Sequence, residues 1–209
     1  MNLQNHNNKM QENKEIIKLW HGGRNLESSY KDNIPCKGLW EYGPGLYLTT
    51  SYERARKYAK GGGSTYAVEV YQGNDIDKID LPIEKVQDFI SENVIGSKKK
   101  EMLEDIHSNM KRLNNTKGVQ AQTFLNLIIN NEAVKKTKTH ILNEFLVANS
   151  IDYGIVTNYG GSDETVLVVF NRAKIKSVKK TNASDVSLDD YSMPFAFNSI
   201  NQNKKIGIS

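Results

Sequence analysis

Gly43-Pro44-Gly45-Leu46-Tyr47-Leu48-Thr49-Thr50-Ser51-Tyr52-Glu53-Arg54-Ala55-Arg56-Lys57-Tyr58-Ala59-Lys60 changes its period half-way, and that change decides what surrounds it. The opening Gly-Pro-Gly is sharp turn punctuation. Leu46 to Thr49 then reads as a short apolar strand. Thr50 with Glu53 three positions on is a capping box, which predicts a helix start there. On that helix Ala55, Tyr58 and Ala59 share one face. Tyr47 at the strand end and Tyr58 on the helix thus flank one strand-to-helix turn. Two aromatic planes in that position suit a flat, charged heterocycle. They equally suit ordinary packing of half-buried tyrosines, and the residues alone leave both readings open.

Working outward, Ile16 to Trp20 predicts a first strand running into His21-Gly22-Gly23-Arg24, where paired glycines permit close approach to the backbone. Asn25 to Tyr42 is polar, contains Pro35, and reads as a loop lying over the front of a site. Gly61-Gly62-Gly63 terminates the helix of the opening stretch. Thr65 to Tyr71 is rich in β-formers, and Asn74 to Leu81 predicts a short edge strand. From Pro82 to Ser150 the pattern turns helical. Val86, Phe89 and Ile90 mark one helix, Met102, Leu103, Ile106 and Met110 a second, Phe124 to Ile129 a third, and Ile141 to Leu146 a fourth. Strand sequence returns at Tyr153 to Thr157. A loop over Asn158 to Asp163 follows, then Glu164 to Phe170, apolar on both faces and hence interior to a sheet. Ile175 to Lys179 carries lysines that protect an edge. Strands enclosing a helical block predict an α+β chain: a domain over 15–180 with a helical insertion at about 82–150.

The chain has 209 residues, 38% hydrophobic and 25% charged, with a net charge of +4. That mild basic excess permits a polyanionic partner without demanding one. Cys36 is the only cysteine, so no intrachain disulfide forms and a reducing, cytoplasmic setting suits the chain. No apolar run is long enough to span a membrane. Residues 1–14 are Asn-, Gln- and Lys-rich, lack the apolar core of a secretory signal, and are expected to be disordered. Residues 181–209 form a polar tail whose apolar cluster is Met193 to Phe197. No His, Cys or Asp cluster has metal-ligand spacing.

Three separated pieces carry chemistry: Leu19-Trp20-His21-Gly22; Gly45-Leu46-Tyr47-Leu48 continuing through Ser51 to Tyr58-Ala59; and Asp163-Glu164-Thr165-Val166-Leu167-Val168-Val169. In this order they resemble the ADP-ribosyltransferases of the His-Tyr-Glu class, the poly(ADP-ribose)polymerase and diphtheria-toxin-like branch. The resemblance covers roughly Ile16 to Val70 and Ile151 to Lys179, and leaves out the helical block and both tails. It implies a split, mostly antiparallel β-sheet around an NAD cleft. NAD would be a substrate. His21 would hydrogen-bond a ribose hydroxyl, and the Gly22 backbone would grip the carboxamide. Tyr47 and Tyr58 would sandwich the nicotinamide. Glu164 would accept a hydrogen bond from the 2′-hydroxyl of the nicotinamide ribose. Ser51 belongs to the matching segment, and Arg54 and Arg56, on the helix beside the site, would contact pyrophosphate or acceptor.

Cleaving the nicotinamide–ribose bond develops oxocarbenium-like charge on the sugar, as in glycoside cleavage. A fixed carboxylate beside it stabilises that charge. Two departures from the class stand out. Ala55 replaces a serine common in the polymerase branch, and Gly23 a common Ser or Thr. An arginine-specific enzyme is disfavoured by His21, Ser64-Thr65-Tyr66 and Ser162 at the positions that branch requires. The resemblance implies single transfer of ADP-ribose to a protein or nucleic acid acceptor, RNA among them. It also implies a bacterial or phage toxin or effector with an antitoxin partner. An NAD glycohydrolase on the same scaffold and a non-catalytic NAD- or nucleic-acid-binding module stay open as alternatives.

Overall fold

The computed structural model describes residues 15–29, 40–112, 118–182, 184 and 186. The segment 1–14, most of the polar tail with Met193 to Phe197, and Cys36 lie outside the described residues.

Among the described residues six strands form one sheet. In chain order they are β1 (Ile16–Gly23), β2 (Leu46–Thr49), β3 (Ser64–Tyr71), β6 (Tyr153–Val156), β7 (Val166–Val169) and β8 (Ile175–Thr181). Their spatial order is β6-β7-β2-β1-β3-β8, and all neighbours run antiparallel. The pairing is uneven. β1 and β3 are in register over their full lengths, Ile16 with Tyr71 to Gly23 with Ser64. β2 and β7 pair from Leu46–Val169 to Thr49–Val166. Between β1 and β2 the single registered pair is Trp20 with Thr49. The sheet is thus two three-stranded halves that meet at one point and splay apart beyond it.

A helical layer covers one face. It comprises α3 (Ile83–Asn93), α4 (Lys99–Arg112), α5 (Ala121–Asn130) and α6 (Thr139–Ala148), so all four stretches read as helical are helices. Their apolar stripes, with Phe89, Met102, Ile106, Phe124 and Leu142, bury against each other and against Val166, Val168 and Phe170. The opposite sheet face buries Leu19, Leu48, Val68, Leu167 and Val169. β7 is therefore interior on both faces, as its unbroken apolar run predicts. β8 closes one edge, and its Lys176 pairs with Glu69 at 3.1 Å.

Three expectations shift. Asn74 to Leu81 is no edge of the main sheet. Asp75 caps a 3-10 turn over Ile76–Lys78, and β4 (Asp80–Leu81) pairs with β5 (Val119–Gln120) inside the helical block. Residues 26–29 of the expected front loop form a helical turn, α1 (Leu26–Ser29). The helix after β2, α2 (Tyr52–Tyr58), is capped by Ser51 and not Thr50. The Thr50 hydroxyl instead accepts the Thr165 backbone N–H at 3.0 Å, a tertiary bond that takes it away from the helix.

Asn143 of α6 ties the helical block to the opening turn. Its Nδ2 donates to the Pro44 carbonyl at 2.7 Å and to the Phe170 carbonyl at 3.2 Å, in a buried position. Two buried carbonyls depend on that amide, and stranding them carries a desolvation cost. Asn143→Leu is expected to lower the unfolding free energy by about 1–3 kcal/mol, read as a shift in urea midpoint with unchanged slope.

Candidate active site

The splay between β1 and β2 opens a cleft of about 390 Å³. His21, Gly22, Tyr47, Arg54, Tyr58 and Glu164 all line it. Ser51 does not; its hydroxyl accepts the Arg54 backbone N–H at 3.2 Å as the cap of α2. Arg56 is absent from the lining too. Arg54 and Arg56 are two positions apart, about 200° around a helix, so one helix cannot aim both at one site.

Each member is held by a contact the fold supplies. His21 directs Nδ1 at the Tyr47 carbonyl, 2.9 Å away, across the splayed strands. A carbonyl accepts only, so Nδ1 carries the proton in the neutral ring and Nε2 is left as an acceptor. Burial pushes the imidazole below its ordinary pKa of 6.5; the bond to Tyr47 opposes this and Arg172 adds to it. Gly22 has a steric reason. A Cβ there would stand 1.7 Å from the Ala55 carbonyl oxygen, so β1 and α2 touch only because residue 22 has none. The Tyr47 hydroxyl accepts the Tyr42 N–H and donates to the Gly43 carbonyl, both at 3.0 Å. Tyr47 consequently gives the cleft its ring while its hydroxyl locks the turn. Tyr58, 62% exposed, stands at the rim.

Glu164 lies two residues ahead of β7, not at its first position, and is 8% exposed. Thr49 donates its hydroxyl to Oε1 at 2.6 Å, and Arg54 donates Nε–H to Oε2 at 2.7 Å. That bond raises the Arg54 pKa above its ordinary value, against partial desolvation. Both partners are donors, so each oxygen of the buried carboxylate has a hydrogen-bond partner. The Arg54 guanidinium also lies over the Tyr159 ring, 5.1 Å from its centroid.

Trp20, Glu41, Thr49 and Tyr159 line the cleft as well and were not singled out from sequence. Tyr159 is swung into place by a turn in which Asn158, Gly160 and Gly161 all have positive φ (55, 63 and 75°). Burial and a hydrogen bond to Tyr58 push its phenol up to about 12, so it remains a protonated donor. The Gly160-Gly161 pair beside it was the available signal. Thr49 carried no local signal; within Thr49-Thr50-Ser51 each hydroxyl takes a separate partner.

No family model matches this chain, and no curated protein or solved structure is significantly similar to it. What the cleft can do follows from its own residues. It combines aromatic ring faces, a neutral imidazole acceptor, and a buried carboxylate whose position is fixed from two sides. No helix among the described residues is long and apolar enough to cross a membrane.

Because the His21 pKa is lower folded than unfolded, its linkage to stability has a definite sign. Above about pH 6.5 both states are neutral and nothing is gained or lost. As pH falls below that, the unfolded chain takes up a proton that the folded ring resists, and stability drops. His21→Gln should flatten the fall of melting temperature below pH 6.5 relative to the parent. An unchanged slope would mean that the ring titrates alike in both states.

Proposed function

We propose that the cleft binds NAD as substrate, breaks its nicotinamide–ribose bond and passes ADP-ribose to a macromolecular acceptor. On this reading the chain is a mono-ADP-ribosyltransferase of the His-Tyr-Glu class, its sheet is the split sheet of that fold, and its biological role is that of a toxin or effector. One observation carries the proposal: His21, Tyr47 and Glu164, 26 and 117 positions apart along the chain, line one cleft.

The chemistry assigns each side chain a task. The bond between C1′ and the pyridinium nitrogen breaks with its electron pair leaving on the ring, so nicotinamide departs neutral. C1′ gains oxocarbenium character, and the Glu164 carboxylate stabilises that charge from a site of restricted solvent. Its oxygens each accept one protein donor, which leaves lone pairs for the ribose 2′-hydroxyl. His21 Nε2 accepts from another ribose hydroxyl. The rings of Tyr47 and Tyr58 flank the nicotinamide, and the Gly22 backbone meets its carboxamide. Arg54 holds Glu164 through Nε and keeps its Nη groups for the substrate's pyrophosphate. An acceptor nucleophile then bonds to C1′ and loses its proton.

Glu164→Gln preserves shape and removes charge. Nicotinamide release from NAD is expected to fall by about 10²–10³, with the melting transition retained. Full activity in that variant would remove the carboxylate from the mechanism. Radiolabelled NAD separates transfer from hydrolysis: label fixed on a macromolecule supports transfer, and free ADP-ribose alone supports a glycohydrolase.

A further inference from the structure

The far flank of α2 borders a second concavity, an open groove of about 380 Å³. Arg56 and Lys60 reach it from the helix end and Lys180 from β8; Ser64, Thr181 and Asn182 line it beside them, the Thr181 hydroxyl donating to the Lys179 carbonyl at 3.3 Å. Among the described residues no Asp or Glu lines it. Glu27 on α1 accepts the Lys180 backbone N–H at 2.9 Å and lies outside the lining.

Edge protection explains neighbouring lysines but not these three cations. Lys174 and Lys176 are neutralised by Asp152 and Glu69, each at 3.1 Å. Among the described residues Arg56, Lys60 and Lys180 are exposed and take part in no ion pair. Cationic heads mixed with hydroxyl and amide groups, with no carboxylate among the described lining residues, make up the kind of set that contacts phosphodiester oxygens. An acidic protein surface would need only the charges. The hydroxyl and amide fringe favours a sugar–phosphate chain.

We propose that this groove holds the backbone of a single-stranded nucleic acid, and that this strand is the acceptor of the transfer. The acceptor role rests on the reading of the cleft given above; the binding role does not. Groove and cleft are separated by α2, about 10–12 Å across. The crossing point is the helix end, where a Cβ built on Gly62 would meet nothing within 4 Å. A strand gripped in the groove can therefore bring a neighbouring nucleotide to the cleft mouth. There a nitrogen or oxygen of the strand gives its lone pair to C1′ as nicotinamide leaves, and any proton it carried passes to solvent.

The test uses the full chain and fluorescein-labelled oligo(U) and oligo(dT) of about 12 nucleotides, by anisotropy between about 50 and 200 mM salt. R56Q/K60Q/K180Q should bind at least about tenfold more weakly at the lower salt. Its log–log salt slope should fall by about 2, the value for three lost phosphate contacts on a single strand. K135Q/K136Q/K138Q removes the same charge elsewhere and should stay within about twofold of the parent. Comparing the two oligomers identifies the sugar. Equal losses in both triples, no loss in the groove triple, or equally tight binding of labelled poly-glutamate would overturn the proposal. With radiolabelled NAD, label should be fixed on the oligomer by the parent and at least about tenfold less by the groove triple. Acceptor-free nicotinamide release should stay within about twofold. A raised KM for NAD in the groove triple would give the groove to the dinucleotide's own phosphates and overturn the acceptor role. If the parent released no nicotinamide at all, the NAD reading would fail while the anisotropy still decided the groove.

Discussion

The Trp20–Thr49 contact is the hinge of this architecture. Two antiparallel strands that pair once and then diverge leave backbone groups to be satisfied by something other than each other. Here the His21 imidazole supplies the donor for the Tyr47 carbonyl that a paired strand would have supplied through its backbone. The bond spans the divergence between β1 and β2 through a side chain, where regular pairing would have used a backbone N–H. The cleft is thus a consequence of how the sheet is joined, not a hollow between separate lobes. Gly22 extends the argument to α2. With no Cβ, β1 lies directly against the Ala55 carbonyl, and the helix is pressed into the mouth of the opening.

Glu164 shows the same economy in electrostatics. A carboxylate 6% exposed at its side chain would carry a desolvation penalty of several kcal/mol if left alone. Thr49 and Arg54 offset it from β2 and α2, the two elements of the opening stretch. Strand, turn and helix therefore act together as a holder for one residue more than a hundred positions downstream. Arg54 is itself held over Tyr159, whose ring makes an edge contact with Tyr42 at 5.8 Å. These contacts fix the carboxylate's orientation before any ligand arrives, and preorganisation is where a charge-stabilising site draws most of its effect.

Period and punctuation made the framework readable from sequence. β2 appears where Leu46 to Thr49 places it, and all four helices of the block form on the stripes that announce them. What local pattern cannot supply is the identity of a distant partner. Thr50 has the composition of a cap, yet a backbone N–H from residue 165 claims its hydroxyl and Ser51 caps the helix. Asn74 to Leu81 has strand-like residues, but Asp75 can bond the Asp77 N–H and turns the chain before a strand can extend. Thr49 looks like a strand residue among others. Its role depends on Glu164, and no spacing rule relates positions 49 and 164. The site's aromatic and acidic members were legible as candidates; their supports were not, because supports are chosen by tertiary proximity.

Arg54 and Arg56 carry this further, since here the sequence held the answer in plain view. One intervening residue on a helix reverses direction, so the pair cannot serve one ligand. Arg54 belongs with Ala55 and Tyr58 on the cleft side; Arg56 belongs with Tyr52, Ala59 and Lys60 on the groove side. A helix of seven residues is thereby a partition with chemistry on both faces. On its cleft side Arg54 joins Glu164, and Glu41 lines the same cleft, so carboxylates outnumber cations among its described lining residues. The groove side gathers Arg56 and Lys60, with no Asp or Glu among the described lining residues. On the proposed chemistry, two arginines facing the cleft would have opposed the oxocarbenium that Glu164 would stabilise. Separating them gives a single short helix one side paired to a carboxylate and one side carrying exposed cations.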